Sequence, residues 1–453
     1  MKILIAVHHF PPRFQAGAEL RAYRTANWMR KHGHDARVVA VEHIDQGPDD
    51  GAAWQDDDYQ GVPVRRLSYN LGKAPASRPA DVLHWEYDNP WIERRLVSYL
   101  SEWRPDLFHL VSGYIMGAGA LKAARQAQVP SVVTLVDFWF FCRRLTLLRP
   151  TGRLSSPTEY DPRACARCFF EEKRRFRLVA QSAPALADAM WSLAFSTGLG
   201  NVFGLGDVVR QFEARYRDLM AALQTVTTIV CPSRFLIETF TAHGIDRDRL
   251  ALNTHGLDTS MWLPAAPRAP DGVFRIGYIG QIDHHKGVHL VAQAFSKLRA
   301  DRPLELLIYG NEQAAPRYTE FLRQQIAGDA RIRIMGRYRN EQVAQILSQF
   351  DALVIPSMWN EIGPWTLFEA FEARLPVVTT NLPNMSYVVE HDRNGLLFRA
   401  GDAGDLARQL QRLIDDPELP ARLASNIPPV KKIDEEMAIL QDVYRRAACQ
   451  TRA

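Results

Sequence analysis

FRIGYIGQIDHHKGVHLVAQAFSKLRADRPLELLIYG, residues 274–310, is the stretch whose reading decides the fold. FRIGYIG (274–280) is a nearly continuous apolar run, as a parallel strand covered on both faces requires. A helical pattern follows near 286–299, and LELLIYG (304–310) repeats the strand. The same grammar runs on through IRIMG (332–336), DALVIPS (351–357) and PVVTT (376–380), with a helical stretch between each pair. Strands alternating with helices in this way predict a parallel sheet with right-handed crossovers.

Upstream the grammar has already been used once. KILIAVH (2–8), ARVVAVE (36–42), DLFHLVS (106–112), SVVTLVD (131–137) and TTIVCPS (227–233) read as strands, with helical stretches around 18–31 and 117–126. A Pro/Ala-rich stretch near 262–272 is the linker candidate between the two series. A chain of 453 residues is too long for one core. It therefore reads as α/β, with two Rossmann-like domains over about 1–262 and 272–430 facing each other across a cleft. In such sheets ligands lie outside the carboxyl ends of the strands.

Composition narrows the function. An apolar share of 47% and a charged share of 23% are those of a globular protein. A net charge of +4 offers no general attraction for nucleic acid. The five cysteines (Cys142, Cys165, Cys168, Cys231, Cys449) suit a reducing compartment better than a disulfide framework. MKILIAVHHFPP lacks the length and cleavage site of a signal peptide, so it reads as the first strand of a cytoplasmic protein. The fingerprint G-x-G-x-x-G is missing after that strand, which counts against a dinucleotide enzyme.

Candidate site residues fall on strand-to-helix turns. In FPPRFQAGAEL (10–20), Gly17 allows close backbone approach and the following helix start favours an anion, although an ordinary turn reads equally well. In GQIDHHKG (280–287), Lys286 can reach a phosphate as a point charge, while His284 and His285 read as solvated rather than metal-binding. In PSMWNEIGPWTLFEA (356–370), Glu361 falls in the connection and Pro364 suits the first helical position. Glu369 lies off the apolar stripe of Leu367, Ala370, Phe371 and Leu375. A solvated glutamate and a carboxylate for sugar hydroxyls are both open there. Glu312 and Glu320 share the spacing of Glu361 and Glu369, so spacing alone decides nothing.

Taken together, FPPRFQAGAEL, CPSRFL (231–236), NTHGLD (253–258), GQIDHHKG and NEIGPWTLFEAFEARLPVVTTNLPNMSYVVEHDRNGLLFRAGDAGDLA (360–407) resemble the retaining, metal-independent glycosyltransferases of family GT4, with their GT-B architecture. The resemblance implies that Glu361 contacts the donor sugar, Glu369 the nucleotide ribose and Lys286 the donor diphosphate. It places Ala16 and Gly17 against the donor phosphates, and Gln281, Gly363 and Trp365 in the same donor site. It also implies a C-terminal helix, within 431–453, crossing back onto the N-terminal domain. The implied reaction is hexosyl or N-acetylhexosaminyl transfer from a UDP- or GDP-linked sugar to a glycan, lipid-linked or small-molecule hydroxyl, in cell-surface polysaccharide or glycoconjugate synthesis. Three departures stand out. Gln281 replaces the usual arginine, Ala16 a glycine, and Val136 the histidine before Asp137, which leaves Asp137 as the catalytic candidate at that position. They keep a second reading open, a nucleotide-sugar-binding partner or scaffold without turnover.

TLVDFWFFCRRLTLLRPTGR (134–153) and CARC (165–168) resemble a subset of that family with a cysteine-bearing insertion, here about 142–225. Cys142, Cys165 and Cys168 offer three thiolates for a structural zinc, with Ser155 and Ser156 where a fourth ligand is expected. Downstream of Lys173, Arg174, Arg175 and Arg177, residues 189–206 carry no charge but contain four glycines, a poor spanning helix. With Trp191, Phe195 and Phe203, the stretch 170–206 reads either as an acceptor-side or membrane-surface element or as an insertion packed on its own domain.

Overall fold

The computed structural model describes residues 1–75, 81–197 and 204–450. Phe203 and the adjoining part of the charge-free run lie outside the described residues. The chain divides into two units, Met1–Thr254 together with the segment from Glu436 onward, and His255–Glu435.

The first unit is built on β1 (Lys2–Val7), β2 (Asp35–His43), β3 (Ala52–Tyr59), β4 (Val62–Tyr69), β5 (Leu107–Val111), β6 (Ser131–Thr134), β7 (Thr228–Cys231) and β8 (Leu250–Leu252). They lie in the order β3-β4-β2-β1-β5-β6-β7-β8. β1 runs parallel between β2 and β5, pairing Ile3 with Ala36 on one side and Leu107 on the other. Its residues Ile3 to Val7 are fully buried, which is why the run is apolar without alternation. The β3–β4 hairpin is antiparallel, and no strand was expected there. AAWQDDDY is too polar to read as a buried strand; at this edge its polarity is useful. Asp56 opposes Arg65 across the hairpin and accepts from its Nε and Nη2 at 2.6 and 3.0 Å.

The C-terminal helix, Ile433–Gln450, buries Met437, Leu440, Val443 and Tyr444. Within the first unit Glu436 pairs with the buried Arg21, and the Tyr444 hydroxyl lies 2.6 Å from His109 Nδ1. Burial pushes His109 down to about 3, so that contact involves a neutral ring.

The second unit has β9 (Phe274–Ile279), β10 (Leu304–Tyr309), β11 (Ile332–Gly336), β12 (Ala352–Ile355), β13 (Val377–Thr380) and β14 (Leu396–Phe398). All are parallel, in the order β11-β10-β9-β12-β13-β14. The chain winds outward from β9 in one direction and from β12 in the other, so the order reverses between these two neighbours. That reversal is where a doubly wound sheet opens a crevice at its carboxyl edge. The Pro/Ala-rich stretch is fastened to this unit: Leu263 N donates to the Glu341 carbonyl at 2.7 Å, and Arg268 pairs with Asp351. Among the described residues no helix is long and apolar enough to cross a membrane.

Candidate functional site

β9 ends in a turn that Asp283 caps, with a short helical turn at His284–Lys286 before Gly287. Gly287 has φ +72°, and a Cβ there would lie 2.1 Å from the Pro356 carbonyl oxygen. Only glycine lets the turn after β9 lie this close to the end of β12. Met358 N completes the contact by donating to the His285 carbonyl at 2.9 Å.

This packing delivers Lys286 Nζ to Glu361 Oε1 at 2.6 Å. Ser357 Oγ at 2.6 Å and Trp359 Nε1 at 2.9 Å donate to the same oxygen. Glu361 is only 7% exposed. Burial opposes its ionisation, but the Lys286 ammonium and the Lys286 and Ser357 hydrogen bonds outweigh that and hold the carboxyl below its ordinary value. The result is a charged carboxylate at neutral pH with Oε1 saturated; among the described residues no donor reaches Oε2.

Beyond Glu361 the backbone at Gly363 has φ +64°, and a Cβ there would overlap the His255 ring at 1.9 Å. His255, 4% exposed, stacks on Trp365 with centroids 5.2 Å apart. The following helix is Trp365–Glu372, with Pro364 immediately before it as the cap instead of in its first turn. Glu369 is 8% exposed and buried on this helix beside Leu367, Ala370 and Phe371, so it is not a solvated glutamate. Burial, and after it the Glu369 charge, raises the Tyr338 phenol above its ordinary value. Gln281 is exposed, and its carbonyl accepts the Tyr278 hydroxyl at 2.6 Å. Ser357, Trp359 and His255 lie within PSMWNE and NTHGLD, but no pattern in the sequence marks them as part of this cluster.

In the first unit, the helix Gly17–Lys31 starts without a side-chain cap at Ala16. Ala16 and Gly17 are exposed, and a Cβ on Gly17 would meet nothing within 4 Å. Packing within the chain therefore gives no reason for a glycine here, unlike at Gly287. His8 Nε2 and Glu19 Oε1, both buried, pair at 3.2 Å and tie the helix start to the end of β1. Burial works against the Glu19 charge, but the hydrogen bond from His8 prevails and lowers the carboxyl below its ordinary value. Asp137 follows β6 and accepts from Ser112 Oγ and, at 2.8 Å, from Trp139 N. Burial pushes its carboxyl up, with these hydrogen bonds opposing.

A pocket of about 310 Å³ lies in this unit, lined by Tyr69, Tyr114, Trp139, Glu86, Arg143 and Arg144 among others. Arg143 holds Glu86 through two bonds of 2.8 and 3.0 Å, and Arg144 holds Glu172 at 3.0 Å. The walls are thus aromatic faces and mutually neutralised charges.

The expected zinc is not supported. Cys142, Cys165 and Cys168 do line one cavity, of about 340 Å³. Yet among the described residues no group of three histidine, cysteine or acidic side chains is placed to hold a metal. Burial raises all three thiols, Cys165 and Cys168 to about 12, so without a bound cation they are neutral. The insertion is held instead by an apolar cluster that includes Phe170, Leu205, Val208 and Phe212.

Two family descriptions cover most of the chain. "Glycosyl transferase 4-like domain" matches residues 16–256, and "Glycosyl transferases group 1" matches residues 263–428. A glycogen synthase of Mycobacterium tuberculosis is 26% identical over 253 residues, which is 54% of this chain and 60% of that protein. The alpha-D-kanosaminyltransferase of Streptomyces kanamyceticus is 28% identical over 34% of this chain and 39% of its own length. The D-inositol 3-phosphate glycosyltransferase of Paenarthrobacter aurescens is 29% identical over 45% and 53%. The chain thus spans 39–60% of the length of these curated relatives. Among solved structures, Anabaena HepE in complex with UDP and glucose superposes with a TM-score of 0.64 at 16% identity, covering 98% of this chain and 100% of that one. Sucrose-phosphate synthase from Thermosynechococcus elongatus gives 0.65 at 16%, covering 98% of each. At such identity the likeness concerns the fold.

Proposed function

The chain belongs to the family 4, group 1 glycosyltransferases and has their GT-B fold, and on that premise we propose that it transfers a sugar from a nucleotide diphosphate sugar to an acceptor hydroxyl, with retained anomeric configuration and without a metal. The observation that carries this reading is the Lys286–Glu361 pair at the reversal of strand order in the second unit. Glu361 Oε1 is already satisfied, which leaves Oε2 to accept from a hydroxyl of the donor sugar. The Lys286 ammonium has three donors and spends one on Glu361, so the others serve the diphosphate. Glu369 takes the nucleotide ribose, with Gly363 and Trp365 shaping the turn before it. Gln281 serves the diphosphate; in the first unit the exposed Ala16 and Gly17 stand at an uncapped helix start that favours negative charge, which suits them to donor phosphate.

In the transfer step the bond between the anomeric carbon and the diphosphate oxygen breaks while the acceptor oxygen bonds on the same face. The acceptor proton passes to the departing phosphate oxygen, and Lys286 with the helix amides stabilises the charge that develops on it. Asp137 orders the loop that presents Trp139, and the Tyr69, Tyr114 and Trp139 faces receive the acceptor. UDP is the favoured nucleotide, supported by the complex of HepE with UDP and glucose, with GDP as the other candidate. The acceptor is a glycan, a lipid-linked or a small-molecule hydroxyl, and the product a cell-surface polysaccharide or glycoconjugate. The enzyme would work in the cytoplasm, at the inner membrane face, in peripheral contact through 170–206.

A thermal-shift screen of UDP-, GDP-, ADP- and TDP-sugars, followed by transfer assays with a chelator present, tests this. The expected result is one stabilising donor class and a chelator-insensitive product of retained configuration by NMR. An inverted product, or transfer abolished by chelation, overturns the mechanism.

A further inference from the structure

Within the insertion, the helix Pro184–Ser196 (PALADAMWSLAFS) is apolar on all sides yet only half covered. Ala187, Trp191, Ala194 and Phe195 turn toward the apolar cluster of Phe170 and Phe212. Leu186, Met190 and Leu193, spaced as one helical stripe, are 58%, 51% and 56% exposed. The single charge of the helix, Asp188, is neutralised by Arg167 at 2.7 Å. The preceding helix, Arg174–Ser182, packs against this one and exposes Leu178 to 51%. Arg174 and Arg175 stand one turn before Leu178, on its side of that helix. Among the described residues, none of Lys173, Arg174, Arg175 and Arg177 has a carboxylate partner.

A large apolar stripe edged by unneutralised cations has two demands, and one surface meets both. We propose that this helical pair rests on an anionic lipid surface, with Leu178, Leu186, Met190 and Leu193 among the acyl chains and Lys173, Arg174, Arg175 and Arg177 against headgroup phosphates. A second copy of this chain would cover the stripe but would set the same four cations against each other. The proposal rests on the reading of 170–206 as the membrane-contacting segment of a glycosyltransferase, and specifies the residues and the lipid chemistry.

The test is co-sedimentation of the full chain with phosphatidylcholine vesicles, with and without phosphatidylglycerol, beside transfer to a water-soluble acceptor. Binding should require phosphatidylglycerol and fall at raised salt. R174Q/R175Q should lower partitioning to phosphatidylglycerol vesicles roughly thirtyfold, and L186Q/L193Q should also lower it, by loss of the apolar contact. All these variants should melt as the parent does and transfer to the soluble acceptor normally. No binding to either vesicle, or equal binding to both, overturns the proposal even while soluble transfer persists. So does loss of a dimer in L186Q/L193Q with vesicle binding intact. Vesicle binding without any transfer keeps the docking surface and sinks the transferase mechanism.

Discussion

Glu312 and Glu320 stand as far apart in sequence as Glu361 and Glu369, and each pair brackets the passage from a parallel strand to a helix in the second unit. Their environments are opposite. Glu312 accepts from Arg323 Nε at 3.0 Å near the surface, and the exposed Glu320 accepts from Gln324 at 3.0 Å. Glu361 and Glu369 are 7% and 8% exposed, and Glu361 collects three donors on one oxygen. The difference lies in the strand each pair follows. Glu312 comes after β10, on one arm of the sheet. Glu361 comes after β12, directly across the reversal from β9 and its Lys286 turn. Strand order, and not spacing, separates the buried pair of glutamates from the surface pair.

The largest effect that tests this contrast is chemical. Glu361→Gln keeps the side chain's size but removes its charge, and should cost about 10²–10³-fold in kcat/KM. Lys286→Ala should cost a similar factor, and the double variant less than the product of the two, because each acts through the other. Full additivity would mean that the pair is not a unit. Next is a structural effect that sets two glycines apart. Gly287→Ala must force a left-handed backbone and a contact with the Pro356 carbonyl, and should destabilise by about 3 kcal/mol in urea unfolding. Gly17→Ala, whose Cβ would meet nothing within 4 Å, should leave unfolding unchanged while raising the donor KM. A KM that does not move would remove Gly17 from the donor site. The smallest effect is the control: Glu312→Gln and Glu320→Gln should each stay within about 0.5 kcal/mol in stability and leave kcat/KM as it was.

Several features were legible from residues alone. The runs KILIAV and FRIGYI became β1 and β9, and GAGALKAARQ the helix at Gly117–Gln126. Burial on both faces leaves an uninterrupted apolar run that no neighbour is needed to interpret. The β3–β4 hairpin was invisible because its stabilising unit, Asp56 across from Arg65, is a pairing between strands and not a pattern along one. The zinc expectation failed for the same kind of reason. Cysteine spacing shows that thiols can meet; only the folded chain shows that, among the described residues, they do not come together as a metal-holding group. The histidine of NTHGLD shows no role in the sequence, since nothing along the chain tells that His255 packs against Gly363.

The sequence by itself determined the α/β class, the two series of strands and helices, and the identity of Lys286 and Glu361 as residues at strand ends. These depend on local periodicity and turn chemistry, which a short window contains in full. Only the tertiary structure decided that residues 75 positions apart meet at 2.6 Å, that three donors converge on one carboxylate oxygen, and that Glu369 is buried. Those outcomes depend on which strand lies beside which, and strand order is set by packing the whole sheet, not by any segment within it.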